Sequence, residues 1–163
     1  TLHRGIEYGL TFKPNKEFFF RYGGAYSIHR FEEFELSQKA SDVLKNVNGK
    51  DMPSAPKWMW NTELSYYPKW AKNLRTSVEW QHVGKWFQNQ TNTVLYGGYN
   101  LLNFRAGYEF KGIEVYTNIM NLTDALYATN ATRGNLATDR TTFTPSAPRT
   151  FVMGIQYNIS GKK

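Results

Sequence analysis

The sequence predicts an antiparallel transmembrane β-barrel wall of about seven strands, all-β, part of a larger barrel. Three observations carry this: apolar and polar residues alternate through seven segments, the links between segments alternate short and long, and aromatic residues are abundant without being gathered into runs. Aromatics make up 17% of the 163 residues, yet mean hydropathy is −0.59 and only 40% of the chain is hydrophobic. Greasy and wet positions must interleave, as they do on a strand whose side chains point to opposite faces in turn. No run approaches the ~18 apolar residues that a membrane helix needs. A membrane barrel survives that test, because its signal in each segment is weak.

The alternating segments lie at about 4–13, 17–28, 57–67, 74–87, 99–110, 113–122 and 149–159. The last is the clearest. Phe151, Met153, Ile155, Tyr157 and Ile159 share one face, while Thr150, Val152, Gly154, Gln156 and Asn158 share the other. In the fifth, Leu102, Phe104, Ala106, Tyr108 and Phe110 oppose Asn103, Arg105, Gly107 and Glu109. The first sets Ile6, Tyr8, Leu10 and Phe12 against Glu7 and Thr11, and the third sets Trp58, Trp60, Thr62, Leu64 and Tyr66 against Asn61, Glu63 and Ser65. Charges recurring on one face are costly in a packed core but not in a wet or plugged lumen. The greasy face is therefore outward, toward outer-membrane lipid.

Short links fall at Pro14-Asn15-Lys16, from Pro68 to Asn73, and at Lys111-Gly112, the last a tight hairpin turn. Long links run about 29–56, 88–98 and 123–148 and are rich in Asn, Thr, Ser, Gly and Pro, as solvated loops are. Outer-membrane barrels have short periplasmic turns and long extracellular loops, which orients the chain. Aromatic girdles are expected at Phe12, Phe18, Tyr66, Trp70, Phe110 and Tyr157 on the periplasmic side, and at Tyr26, Trp58, Trp86 and Tyr99 on the outer side. A soluble β-sandwich would share the stripes. Its strands average ~5–6 residues, however, and its Greek-key crossings break a simple run of hairpins.

The net charge of +7 permits an anionic partner, but the basic residues are scattered and Lys162-Lys163 is the only terminal cluster. Nucleic-acid binding is set aside. Zero cysteines exclude disulfides and thiolate metal sites. Four Asn-x-Ser/Thr sequons, at Asn89, Asn121, Asn130 and Asn158, carry no glycosylation message in an outer-membrane protein.

The run Asn118-Ile119-Met120-Asn121-Leu122-Thr123-Asp124 followed by Tyr127, and then Pro148-Arg149-Thr150-Phe151, resembles the C-terminal end of TonB-dependent outer-membrane receptors. Asn48-Gly49, Met52 through Lys57, Trp80 before Gly84, and Tyr99-Asn100-Leu101-Leu102-Asn103 before Gly107-Tyr108 are similar to the same family's pattern. The resemblance implies a barrel of about 22 strands around a plug. This chain would be the C-terminal portion, residues 1–163 of a barrel whose plug and upstream strands lie elsewhere in a longer polypeptide. The resemblance also implies that the strand carrying Phe151, Met153, Ile155, Tyr157 and Ile159 is the barrel-closing one, and the usual terminal aromatic is replaced, with Ile159 in its phase. The residues alone assign Asn121 and Asp124 to stopping a strand, and Pro148 to marking where the next begins.

The implied function is capture and import of a ferric siderophore or similar scarce nutrient by a Gram-negative outer-membrane receptor. Expected partners are the upstream strands and plug of the same receptor, outer-membrane lipid, TonB acting through the plug, and a small-molecule or iron-chelate ligand. Phe87, Tyr96, Arg133 and Arg140 are the ligand-facing candidates, because Arg and aromatics in outer loops can meet anionic ligands. No cofactor, metal or catalytic residue is expected. The alternative is a small stand-alone outer-membrane barrel, adhesin- or porin-like or a lipid-modifying enzyme. Against the enzyme, His3, His29 and His82 have no Ser or carboxylate partner at a suggestive spacing. The inward carboxylates Glu7, Glu63, Glu79, Glu109 and Glu114 are matched by inward Arg21, Arg75 and Arg105, which reads as a salt-bridged wall.

Overall fold

The structure is a computed structural model that describes residues 1–36 and 46–157. It contains β1 (Leu2–Phe12), β2 (Phe18–Arg30), β3 (Trp58–Tyr66), β4 (Leu74–Val83), β5 (Trp86–Phe87), β6 (Leu95–Tyr96), β7 (Tyr99–Phe110), β8 (Ile113–Met120), β9 (Ala128–Thr132), β10 (Thr142–Pro145) and β11 (Thr150–Tyr157). Seven of these form one sheet in the order β1-β2-β3-β4-β7-β8-β11, every neighbour antiparallel. All seven expected strands are present and form a meander. The sheet does not close on itself, so β1 and β11 are its two edges.

Register keeps the two faces apart across the whole sheet. Leu10 pairs Tyr22, Tyr22 pairs Thr62, Thr62 pairs Trp80 and Trp80 pairs Leu102, all on the greasy phase. A slip of one residue at any hairpin would invert every side chain beyond it. The greasy face is bare: Ile6, Leu10, Phe12, Leu64, Phe151 and Met153 are exposed, and Ile155 is 75% exposed. A sandwich would have covered it with a second sheet. Aromatic rings mark both ends of this face, with Phe18 on Tyr66 (centroids 4.8 Å apart) and Tyr26 on Trp58 (4.6 Å).

The hairpin turns follow from local chemistry. Lys111 and Gly112 both have positive φ, 51° and 81°, as a two-residue type I′ turn requires, so the reading of a tight turn holds. At the turn between β1 and β2, the Asn15 Oδ1 accepts from the backbone N–H groups of Glu17 (2.8 Å) and Phe18 (3.0 Å). Asn121 and Asp124 also have positive φ, 52° and 54°. The Asn121 Oδ1 accepts from Ala125 N (2.8 Å), its Nδ2 donates to Ala125 O (3.0 Å), and Asp124 Oδ1 accepts from Arg149 N (2.8 Å). The motif therefore closes β8 and ties its end to the entrance of β11. Asn121→Ala is expected to cost about 1–3 kcal/mol, from unpaired buried groups and a left-handed backbone that alanine resists. The check is amide exchange at Ala125, whose N–H loses its acceptor and should exchange faster; unchanged exchange would rule out the strand-stop role.

Three expectations need correction. The fourth segment does not run unbroken over 74–87, since β4 ends at Val83 and Trp86–Phe87 pairs instead with Leu95–Tyr96. The links 88–98 and 123–148 are not simple solvated loops, because they contain β6 and the β9–β10 hairpin. Trp86, expected in the outer girdle, is only 4% exposed and lies inside the packed links, while Tyr99 packs tilted against Tyr127 (4.5 Å) on the polar phase of β7. Asn158 and Ile159 lie outside the described residues.

Candidate functional site: the polar face and its packed loops

The polar face carries a band of ion pairs. Glu63 and Glu79 are direct cross-strand partners, an unfavourable juxtaposition by itself. Arg21 Nη2 donates to Glu63 (2.8 Å) from one side, and Arg105 Nη2 donates to Glu79 (3.0 Å) from the other. Asn61 (2.6 Å) and Asn103 (3.0 Å) complete the shell of Glu79. Arg75 pairs with Glu114 in the same band. The expected matching of inward acids and bases is therefore present for Glu63, Glu79 and Glu114. A trough of about 370 Å³ is lined by Glu63, Arg75, Arg105 and Glu114 of this band. The arginines of these pairs are exposed while the carboxylates are largely covered, and pairs open to water on one side contribute roughly 0–1 kcal/mol each, so the band decides which face is wet more than it stabilises the sheet.

At the end carrying the long links, the loops form one packed assembly. Trp86 packs tilted against Tyr96 (centroids 4.5 Å apart) and donates from Nε1 to Ala131 O (3.2 Å), joining β5–β6 to β9. Beside it, Asn89 is 2% exposed. Its Nδ2 donates to Thr93 Oγ1 (2.7 Å) and Thr91 Oγ1 (3.1 Å), and its Oδ1 accepts from Thr93 N (3.0 Å). Arg133 N donates to Gln88 O (2.9 Å), Asn135 Nδ2 to Gln90 Oε1 (2.9 Å), and Thr141 Oγ1 to Gln88 Oε1 (2.8 Å). Among the described residues no buried side-chain polar atom lacks a partner. A fully satisfied network of this sort holds its geometry.

Asp51 anchors the first long link to the second. Its carboxylate meets Lys57 Nζ (2.7 Å) and Arg30 Nε (3.2 Å), while its N–H and C=O are both held by the Asn92 amide, each at 2.8 Å. Burial pushes the Asp51 carboxyl up, but the hydrogen bonds from Lys57 and Arg30 outweigh it and leave the group below its ordinary 3.8. A depressed folded-state pKa contributes stability that is present above the ordinary value and is lost as pH falls through the folded one. Loop protection against protease should therefore hold from neutrality down to about pH 4 and fall below it. In Asp51→Asn that acid-dependent step should vanish; its persistence would assign the step to another group.

The four ligand-facing candidates separate on inspection. Tyr96 is occupied within the loop assembly: its ring packs on Trp86 and its hydroxyl accepts from Ala128 N (2.8 Å). Arg133 is half-buried and donates from Nη2 to Ala137 O (3.1 Å). Phe87 is half-buried and lines a cavity of about 120 Å³ with Asp51, Lys57 and Lys85, whereas Arg140 is exposed. Sequence reasoning missed the polar interior of the loops and the Asp51 anchor. The available signal is the stretch Gln88-Asn89-Gln90-Thr91-Asn92-Thr93 directly after an aromatic pair, although polar content of this kind usually means exposure.

A family model described as TonB-dependent receptor-like β-barrel matches residues 1–122, from β1 through β8. Among solved structures, the chain is similar to the siderophore receptor PiuA from Acinetobacter baumannii, with a TM-score of 0.75 at 21% identity, over 95% of this chain and 21% of that one. It is also similar to the ferric yersiniabactin uptake receptor FyuA from Yersinia pestis, with a TM-score of 0.70 at 15% identity, over 94% and 22%. BauA, the ferric preacinetobactin receptor from Acinetobacter baumannii, gives 0.66 at 22% identity, over 94% and 21%. No curated protein matches the chain at a significant level. At these identities the structural likeness is one of fold, and the chain spans about a fifth of the length of those receptors. With the family match over three quarters of its residues, and a sheet whose faces divide into bare apolar and ion-paired polar, the chain belongs to the TonB-dependent receptor-like β-barrel family.

Proposed function

We propose that this chain is the C-terminal part of the barrel of an outer-membrane active-transport receptor in a Gram-negative bacterium, one that imports a ferric siderophore or similarly scarce nutrient with TonB-coupled energy. The observation that carries the reading is the ion-pair band on one face of a meander whose other face is bare and apolar. That division suits a wall between lipid and a plugged, wet interior. Upstream strands pair with the edges β1 and β11, the plug sits against the ion-pair band, and TonB acts through the plug. The packed long links form part of the extracellular vestibule.

Of the ligand-facing candidates, Arg140 and Phe87 are the ones we assign to ligand, since the Tyr96 hydroxyl holds loop to loop and the Arg133 guanidinium is taken up by Ala137 O within its own link. A charge-assisted contact to an anionic chelate accounts for roughly a tenfold change in affinity. In the complete receptor, Arg140→Ala should weaken binding of the ferric chelate by about that factor at unchanged outer-membrane abundance. The reading itself is tested by deleting the receptor in iron-starved cells and measuring uptake of a panel of labelled ferric siderophores. Uptake of at least one should disappear; unchanged uptake of all of them overturns it.

A further inference from the structure

We propose that His3, His29 and Met52 form a soft-metal site for copper(I) on the polar face, below the packed loops. His3 and His29 are direct cross-strand partners in β1 and β2, and their Nδ1 atoms lie 2.7 Å apart. The third side chain comes from the first long link, whose Asp51 bridges Arg30 antiparallel while Met52 N donates to His29 O (2.9 Å). That register sets Met52 opposite His29, one strand further along and on the same face. All three side chains line one cavity of about 400 Å³, together with Ser27, Met59 and the segment from Pro53 to Pro56; of the two thioethers, Met52 is the one whose backbone is hydrogen-bonded directly to His29. Strand phase decides where the cavity opens: His3 and His29 share the parity of Glu7 and Arg21, so they point away from lipid.

The chemistry of the donor set selects the ion. Two imidazole nitrogens held this close on neighbouring strands can both donate lone pairs to one metal ion. Two nitrogens bound at ~2.0–2.1 Å to one three- or four-coordinate ion stand roughly 3.4 Å apart, so from 2.7 Å the rings need to part by about 0.7 Å. His3 is exposed and has room to do so. Among the described residues no three His, Cys, Asp or Glu side chains converge, so the third donor is a thioether and no carboxylate completes a hard or zinc-type set. Imidazole with thioether is a soft combination that suits copper(I). Met52 also packs on the cluster of Phe31, Leu36 and Val47, which fixes the link that carries it.

The site is independent of the ferric-chelate reading, since metal binding is measured without uptake. The complete receptor, purified in detergent under reducing conditions, is titrated with copper(I) against bicinchoninate as competitor. The wild type should withdraw about one equivalent, and His29→Ala and Met52→Leu should each bind at least about tenfold more weakly. Zinc binding should fall in His29→Ala and stay level in Met52→Leu, because only copper(I) favours the thioether. Met52→Leu keeps the volume that packs on Phe31, and heat-modifiability on gels checks that each variant is folded; His3→Gln serves in place of His29→Ala if that variant is not. X-ray absorption of the copper-loaded wild type should show a sulfur scatterer that Met52→Leu lacks. Failure of the wild type to compete with bicinchoninate, or equal copper(I) affinity in Met52→Leu, overturns the site.

Discussion

Trp86→Ala should cost about 3–5 kcal/mol of local stability, the range for emptying a buried aromatic site. Trp86 is only 4% exposed, it packs against Tyr96, and its indole N–H reaches Ala131 O in a strand whose Ala131 is fully buried. The substitution would leave a cavity, an unpaired carbonyl and a lost ring contact at one point. Its consequence should be confined to the loops, because the seven-stranded sheet is held by its own ladders. Limited proteolysis of the complete receptor in outer membranes is the measurement. Cleavage within 88–98 and 121–149 should rise sharply while heat-modifiability of the barrel is retained. Loops that stay as resistant as in the wild type would show that Trp86 does not hold them together.

Charge on the two faces of the last strand should have very unequal effects. Ile155→Arg places a guanidinium on the bare apolar face and is expected to cost up to about 2–4 kcal/mol, the value at the bilayer midplane. Its neighbour Gln156 faces the other way and pairs in register with Glu114, in the charged trough that also holds Arg75 and Arg105. Gln156→Arg should fold nearly as the wild type does. Urea midpoints of the two variants of the complete receptor, reconstituted in vesicles, make the comparison. Equal midpoints would mean that the apolar face does not meet lipid.

The strands, their order and their two faces were legible in the sequence because each depends on local rules. Alternation at period two names the faces, and turn residues such as Lys111-Gly112 and Asn121 to Asp124 name the strand ends, with no need of distant partners. The Arg and Glu residues at polar-phase positions of different strands, Arg21 with Glu63 and Arg75 with Glu114, could be expected to meet for the same reason. Ligand-facing residues were less legible. Tyr96 and Arg133 carry the residue types of a binding loop, yet their hydrogen bonds join one loop to another.

Composition and periodicity by themselves determined that this chain is a membrane barrel wall, with a greasy face, a charged face, and long links at one end. Only the tertiary structure decided that those links are packed rather than solvated, that Trp86 is interior rather than at a membrane interface, and that His3, His29 and Met52 share one cavity. The physical reason is range. Strand patterning is written every second residue along the chain, whereas the contacts of Trp86 with Ala131, Asp51 with Asn92 and His29 with Met52 join segments far apart in sequence. Such contacts exist only once the sheet has set its register and brought the ends of its strands together.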